Sequence, residues 1–204
     1  MTTKKNRGDA RRQRIAEAVV DCLAQHGLQH TTFEAIGKRV RMERSHLVYY
    51  YPNHDELISG AVRWVSETAQ EITARRVKGA KSPKDRVRAI IAAAFEHLRA
   101  YPKHAAVLTL AVHLCTHDRN YRFLFTRIRE TGVERLADVL DAYLKGRGGS
   151  PERLREHAKA VQSIITGYAV EWMSTDYFSS LAQAKAQCER AVFAVLSGGS
   201  ARRE

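Results

Sequence analysis

Apolar positions recur at helical spacing along almost the whole chain, and few stretches alternate at the two-residue spacing of a strand. Ile15, Ala18, Val19, Cys22 and Leu23 fall at i, i+3, i+4, i+7 and i+8, which predicts a helix with one buried stripe. Gly27 ends it as a left-handed C′ residue would. Arg11, Arg12 and Arg14 fall in its predicted first turn, where positive charge opposes the helix macrodipole and points toward phosphate.

The pattern then shortens. Thr31 and Glu34 stand at capping-box spacing before Phe33, Ile36, Gly37 and Val40, a buried face of two turns. Arg41-Met42-Glu43 reads as a turn with Met42 as its apolar plug, and residues 44–50 read as a third helix with Leu47 facing inward. Helices this short are unstable alone and have to pack on their neighbours. Pro52-Asn53 breaks the chain, and Asn53 with Glu56 caps a long fourth helix striped by Leu57, Ala61, Val65, Ala69 and Ile72.

Beyond Pro83 the periodicity remains helical. Val87, Ile90, Ile91, Ala94, Phe95 and Leu98 share a face that stops at Tyr101-Pro102. Residues 104–116 are the most apolar segment and read as a buried helix, and 121–144 are amphipathic. Residues 146–151 read as a loop, followed by two last helices and a frayed tail over 198–204. The chain is therefore all-α.

Charge changes this picture. Lys and Arg number 34 against 22 Asp and Glu, a formal charge of +12 over 204 residues. Lys4, Lys5, Arg7, Arg11, Arg12 and Arg14 cluster before the short helices, beside a single acid, Asp9. Short capped helices behind a basic arm are the layout of a helix-turn-helix, and a polyanionic partner fits the charge. The amino end is too polar for a secretory signal and no apolar run reaches bilayer length, so a cytoplasmic protein without membrane insertion is expected. Cys22, Cys115 and Cys188 are odd in number, widely spaced and set in apolar helical pattern, which predicts buried thiols rather than disulfides or a zinc site.

In a helix-turn-helix the first residues of the second helix meet base edges, which makes Arg44, Ser45 and His46 the candidate readers. Arg44 either forks onto guanine O6 and N7 or touches phosphate alone. Thr31, Thr32, Arg41, Tyr49 and Tyr50 are candidate phosphate contacts, with at least one tyrosine structural, and Lys38 and Arg39 are further electrostatic candidates. His113 and His117 have the i, i+4 spacing of metal ligands, but no motif supplies the remaining ligands and no metal or cofactor is expected. No nucleophile elbow, phosphate loop or carboxylate pair suggests an enzyme. A basic helical adaptor or membrane-surface protein is the other reading, and it leaves the capped turn unexplained.

Over about residues 10–62 the chain resembles the TetR family of bacterial transcriptional regulators. The residues that carry the likeness are Gly27, Thr31-Thr32, Ile36-Gly37, Arg41-Met42-Glu43, Ser45, Leu47, Val48, Tyr50-Tyr51, His54-Asp55 and Leu57. Three positions depart from it: Arg41 stands for the usual glycine, Val48 for tyrosine and His54 for lysine. His54 is thereby a candidate phosphate contact that depends on pH. The resemblance implies an N-terminal helix-turn-helix domain over 1–53, joined by a long helix to an effector-binding and dimerisation domain over 54–204. It implies a homodimer on a palindromic double-stranded DNA operator, released by an unknown small-molecule effector. Effector-lining candidates are Phe95, Leu98, Leu108, Val112, Phe125, Ile128, Tyr168 and Trp172. The last two helices are the expected dimer interface, through Val161, Ile164, Ile165, Cys188, Val192 and Val195.

Overall fold

The computed structural model describes residues 2–145 and 150–198, with side chains from residue 8 onward. Among the described residues the fold is helical throughout, in the order α1 (Thr2–His26), a 3-10 turn (Leu28–His30), α2 (Phe33–Val40), α3 (Arg44–Tyr50), α4 (His54–Lys78), α5 (Pro83–Ala100), α6 (Pro102–His117), α7 (Arg119–Leu144), α8 (Pro151–Ser174) and α9 (Leu181–Gly198). The side chains of Lys4, Lys5 and Arg7, most of the loop over 146–151 and the tail beyond 198 lie outside the described residues. Two compact units result: Met1–Thr68 with Tyr101–Phe125, and Ala69–Ala100 with Thr126–Glu204.

Several expectations change in detail. α1 begins far upstream of Arg11, so Arg11, Arg12 and Arg14 sit in mid-helix rather than in an unfavourable first turn. Pro151 opens α8 instead of closing a loop, with Ser150 as its N-cap. α6 is not buried all round. His104, Val107 and Ala111 form its inner face, while Val112 is 53% exposed. Of the cysteines, Cys22 and Cys188 are buried and Cys115 is only half-buried.

In the first unit, Ile15, Val19, Cys22, Ile36, Leu47, Leu57, Ile58, Ala61 and Val65 make the core. Tyr51 fits against α4 because Gly60 has no side chain: a Cβ there would lie 2.3 Å from the tyrosine ring. The Tyr51 hydroxyl donates to the Arg12 carbonyl at 3.3 Å, which ties the exit of α3 to α1. Burial raises the Tyr51 pKa, against a lesser lowering by Arg63 and Arg12.

The second unit packs Val87, Ile91 and Phe95 of α5 with Val133, Leu136 and Leu140 of α7. Ala158 and Val161 of α8 and Ala184, Cys188, Val192 and Leu196 of α9 complete it. This corrects the expected dimer set. Val161, Cys188 and Val192 are fully buried inside their own subunit, with Ile164 and Ile165 packed partly against that core; Val195 alone of the six is exposed, at 39%. Apolar stripes on α8 and α9 satisfy each other first, because they are neighbours in one chain.

His97 is buried in this unit, and burial pushes its pKa down to about 4. The neutral ring is the folded form. As pH falls through the unfolded value near 6.5, the unfolded chain takes up a proton that the folded chain refuses. Stability from His97 is therefore complete above about 6.5 and is lost progressively toward about 4. Urea titrations at stepped pH are expected to show this decline, and His97→Gln should flatten it. An equal slope in both proteins would refute the assignment.

Candidate nucleic-acid interface

Two threonines share the entrance to α2, and they divide the work differently from their sequence spacing. Thr32 is the N-cap, its hydroxyl accepting from the Ala35 amide at 3.2 Å. Thr31 is fully buried. Its hydroxyl donates to the Gly27 carbonyl at 2.8 Å, and its own carbonyl meets His54 Nε2 at 2.8 Å. Thr31 is thus withdrawn from the phosphate-contact set, since burial denies it any surface ligand, whereas Thr32 is exposed. The 3-10 turn before it, invisible in the sequence, rotates the pair by one position.

His54 is likewise committed. A carbonyl accepts only, so Nε2 carries the proton and donates to Thr31. Asn53 caps α4 by accepting from the Glu56 amide at 2.8 Å. Tyr121, at the start of α7, places its hydroxyl 3.3 Å from both the carbonyl and the carboxylate of Asp55. The first turn of α4 is therefore held at His54 and Asp55 from two sides.

The turn between α2 and α3 uses an unusual pair. Arg41 adopts φ 56° and ψ 53°, the left-handed conformation that glycine takes most easily. The Met42 amide then donates to the Gly37 carbonyl at 3.0 Å. The Met42 carbonyl in turn presses so close to α2 that a Cβ on Gly37 would lie 2.7 Å from it. Gly37→Ala is accordingly expected to cost about 1–3 kcal/mol, because the clash is with backbone that cannot swing away. A thermal-melt comparison checks this; an unchanged or raised melting temperature would overturn the turn geometry.

Leu47 anchors α3 from beneath and leaves Arg44, Ser45, His46, Val48 and Tyr49 outward, with Tyr49 80% exposed. Arg44 Nη1 pairs with Glu34 Oε1 at 2.7 Å and its guanidinium lies 5.3 Å from the Phe33 ring centre. The Glu34 carboxyl is held below the usual carboxylate range, first by its own backbone N–H and then by Arg44. Tyr50 turns back to α1: its hydroxyl accepts from Arg11 at 3.4 Å, and Arg12 lies 5.7 Å over its ring. Arg14 donates to the Val40 carbonyl at 3.2 Å, closing the end of α2. Arg39 is spent on Gln25 and Asp21. Sequence reading missed Glu34 as the partner of Arg44, although the two open successive short helices, and it missed the bracing role of Arg14.

The other predicted sites are distributed. Phe95, Leu98, Ile128, Tyr168 and Trp172 belong to the second unit, and Leu108, Val112 and Phe125 to the first. Phe95 is core, with Tyr168 and Trp172 packed partly against it. His113 and His117 are exposed, their rings 5.1 Å apart, and no cluster of three metal-ligating side chains occurs among the described residues. No described helix is long and apolar enough to cross a membrane.

A capped helix-turn-helix whose second helix shows Arg, Ser and His to solvent, braced by basic side chains of α1, defines a DNA-binding transcriptional regulator. Residues 15–61 match the family described as bacterial regulatory proteins, tetR family, and residues 83–197 match the BetI-type transcriptional repressor C-terminal family. The chain belongs to the TetR family of transcriptional regulators, which are not enzymes. It is 24% identical over 160 residues to the HTH-type transcriptional regulator BetI of Burkholderia thailandensis, covering 78% of this chain and 80% of that one. With BetI of Burkholderia ambifaria it shares 29% over 89 residues, 43% of this chain and 46% of that one. Its fold resembles a transcriptional regulator from Pseudomonas aeruginosa PAO1 at TM-score 0.81 and 17% identity, covering 96% and 95% of the two chains. A regulator from Saccharomonospora viridis, solved in complex with choline, gives TM-score 0.76 at 13% identity over 91% and 96%.

Proposed function

We propose that this chain is a dimeric repressor that occupies a two-fold symmetric DNA operator and leaves it when a small molecule binds the C-terminal domain. The observation that carries the reading is the outward face of α3, Arg44-Ser45-His46 with Tyr49, mounted on a capped two-helix frame. Residues 1–53 are the reading head and 54–204 the effector and dimerisation domain. Thr32, Arg41 and Tyr49 contact phosphate, while Tyr50 and His54 act chiefly by fixing the head. The BetI-type match over residues 83–197 supports repression and effector control.

One seven-residue recognition helix buries too little surface for tight specific binding, so two copies are needed. The dimer face lies on the exposed stripe of α8, Ser163, Gly167, Val170 and Ser174, with Val195 of α9, rather than on the buried residues. Phe95, Leu98, Ile128, Tyr168 and Trp172 flank the effector. The test is selection of bound duplexes from a random library. Paired inverted half-sites spaced by roughly 34–36 Å or a multiple are expected, with affinity falling steeply as salt rises. Equal, weak affinity for every sequence would end the reading, and a monomer by mass measurement at working concentration would end the dimer.

A further inference from the structure

Arg129 stands out among the charged side chains of the second unit. It lies one turn before Val133 on the stripe that continues through Leu136 and Leu140, the face that α7 turns to its own core. Its guanidinium is half-buried and donates from Nη1 to Thr166 Oγ1 at 2.7 Å. The Thr166 hydroxyl is itself oriented, donating to the Gln162 carbonyl at 2.8 Å. Gln162 Nε2 in turn donates to the Arg129 carbonyl at 3.3 Å and rests against Gly132. One N–H of the fork is used, and no carboxylate pairs with it among the described residues.

Most other arginines that cross between helices of this unit end on acids, Arg135 on the Gln70 amide excepted. Arg75 and Arg76 reach Glu96, Arg88 reaches Glu189, and Arg155 reaches Glu130 and Glu134. Arg129 is drawn partly out of water without that compensation, and its burial lowers its pKa. A guanidinium removed from water is costly unless an anion meets it, and its planar fork matches a carboxylate bidentately. The apparatus around it, Thr166 fixed by Gln162 and Gln162 fixed on Gly132, holds the fork in place.

We propose that Arg129 and Thr166 form the anion-recognising end of the effector site, and that the effector carries a carboxylate. This rests on the effector-controlled reading above and gives the effector its chemical class. A quaternary ammonium such as the choline bound by the Saccharomonospora viridis regulator would meet like charge here.

Benzoate and hexanoate serve as probes, with sodium chloride and choline chloride as controls. Binding to the full-length protein is followed by calorimetry and melting temperature, and release is followed on a duplex taken from the selection. Saturable stabilisation by the carboxylates is expected, weakened at least tenfold in Arg129→Met and partly restored in Arg129→Lys. Thr166→Val, which keeps the charge, should weaken it less. Arg129→Met without ligand should melt no lower than wild type and still bind the duplex. No response of wild type to either carboxylate, an equal response in Arg129→Met, or a response to choline instead overturns the proposal. So does weaker dimerisation of Arg129→Met, which would assign the missing carboxylate to the second copy. Loss of the regulator reading is seen separately, as carboxylate binding by a protein that selects no DNA.

Discussion

Leu47→Ala is expected to lower stability by about 2–5 kcal/mol and to remove specific DNA binding at temperatures where the wild type still binds. α3 has seven residues, too few to persist by its own hydrogen bonds, and Leu47 is its buried side chain. That side chain enters beneath α2, its Cδ1 3.5 Å from where a Cβ on Gly37 would lie. Truncation leaves a cavity beneath the recognition helix, and neighbours held by the Thr32 cap and the Arg41 turn cannot collapse into it. Chemical denaturation together with duplex binding measures both effects. A loss below 1 kcal/mol with unchanged affinity would show that α3 is fastened elsewhere.

Arg44→Ala is expected to reduce affinity for the selected duplex by roughly five- to a hundredfold while changing affinity for random DNA much less. The distinction separates a base contact from a phosphate contact, which would weaken both alike. Arg44 is poised for either, since Glu34 already holds its guanidinium at the surface. The pairing holds one nitrogen of the fork at the surface, where a guanine edge or a phosphate would have to take the place of the carboxylate. Arg44→Lys should fail to restore specificity, because an ammonium cannot make the two parallel bonds. Titration of each variant against the selected and a scrambled duplex at one fixed salt concentration decides it; equal losses on both would reassign Arg44 to phosphate.

The head was legible in the sequence because its signals are local. Asn53 with Glu56 and the period of Leu57 to Ile72 each point to one structure, and each is found; Gly27 does end α1 with a positive φ of 76°, but its ψ of 179° departs from the left-handed C′ geometry expected of it. The all-helical fold followed from the same periodicity, and the family likeness rested on the residues at Gly27, Thr31-Thr32, Ile36-Gly37, Ser45, Leu47, Tyr50-Tyr51 and Leu57. The exchange between Thr31 and Thr32 was not legible, because either hydroxyl suits a cap and the 3-10 turn at Leu28–His30 decides between them. Arg44 was visible as a candidate reader, but its engagement with Glu34 depends on how α3 lies against α2. The dimer residues misled for a different reason. Val161, Cys188 and Val192 carry the apolar signal, but the exposed stripe of α8 contains serine and glycine, which give none. Arg129 was silent as well, since a lone arginine in an amphipathic helix reads as a solvated position until its neighbours are known.

The knot at Thr31 has a consequence for how the head comes apart. Its hydroxyl grips the end of α1, its carbonyl is gripped by the start of α4, and Tyr121 holds the next residue of α4. α2 and α3, with eight and seven residues, have no independent means of staying folded. Their backbone amides therefore share one opening event with the α1–α4 junction instead of fraying in turn, and solvent hydrogens enter the reading head all together or not at all.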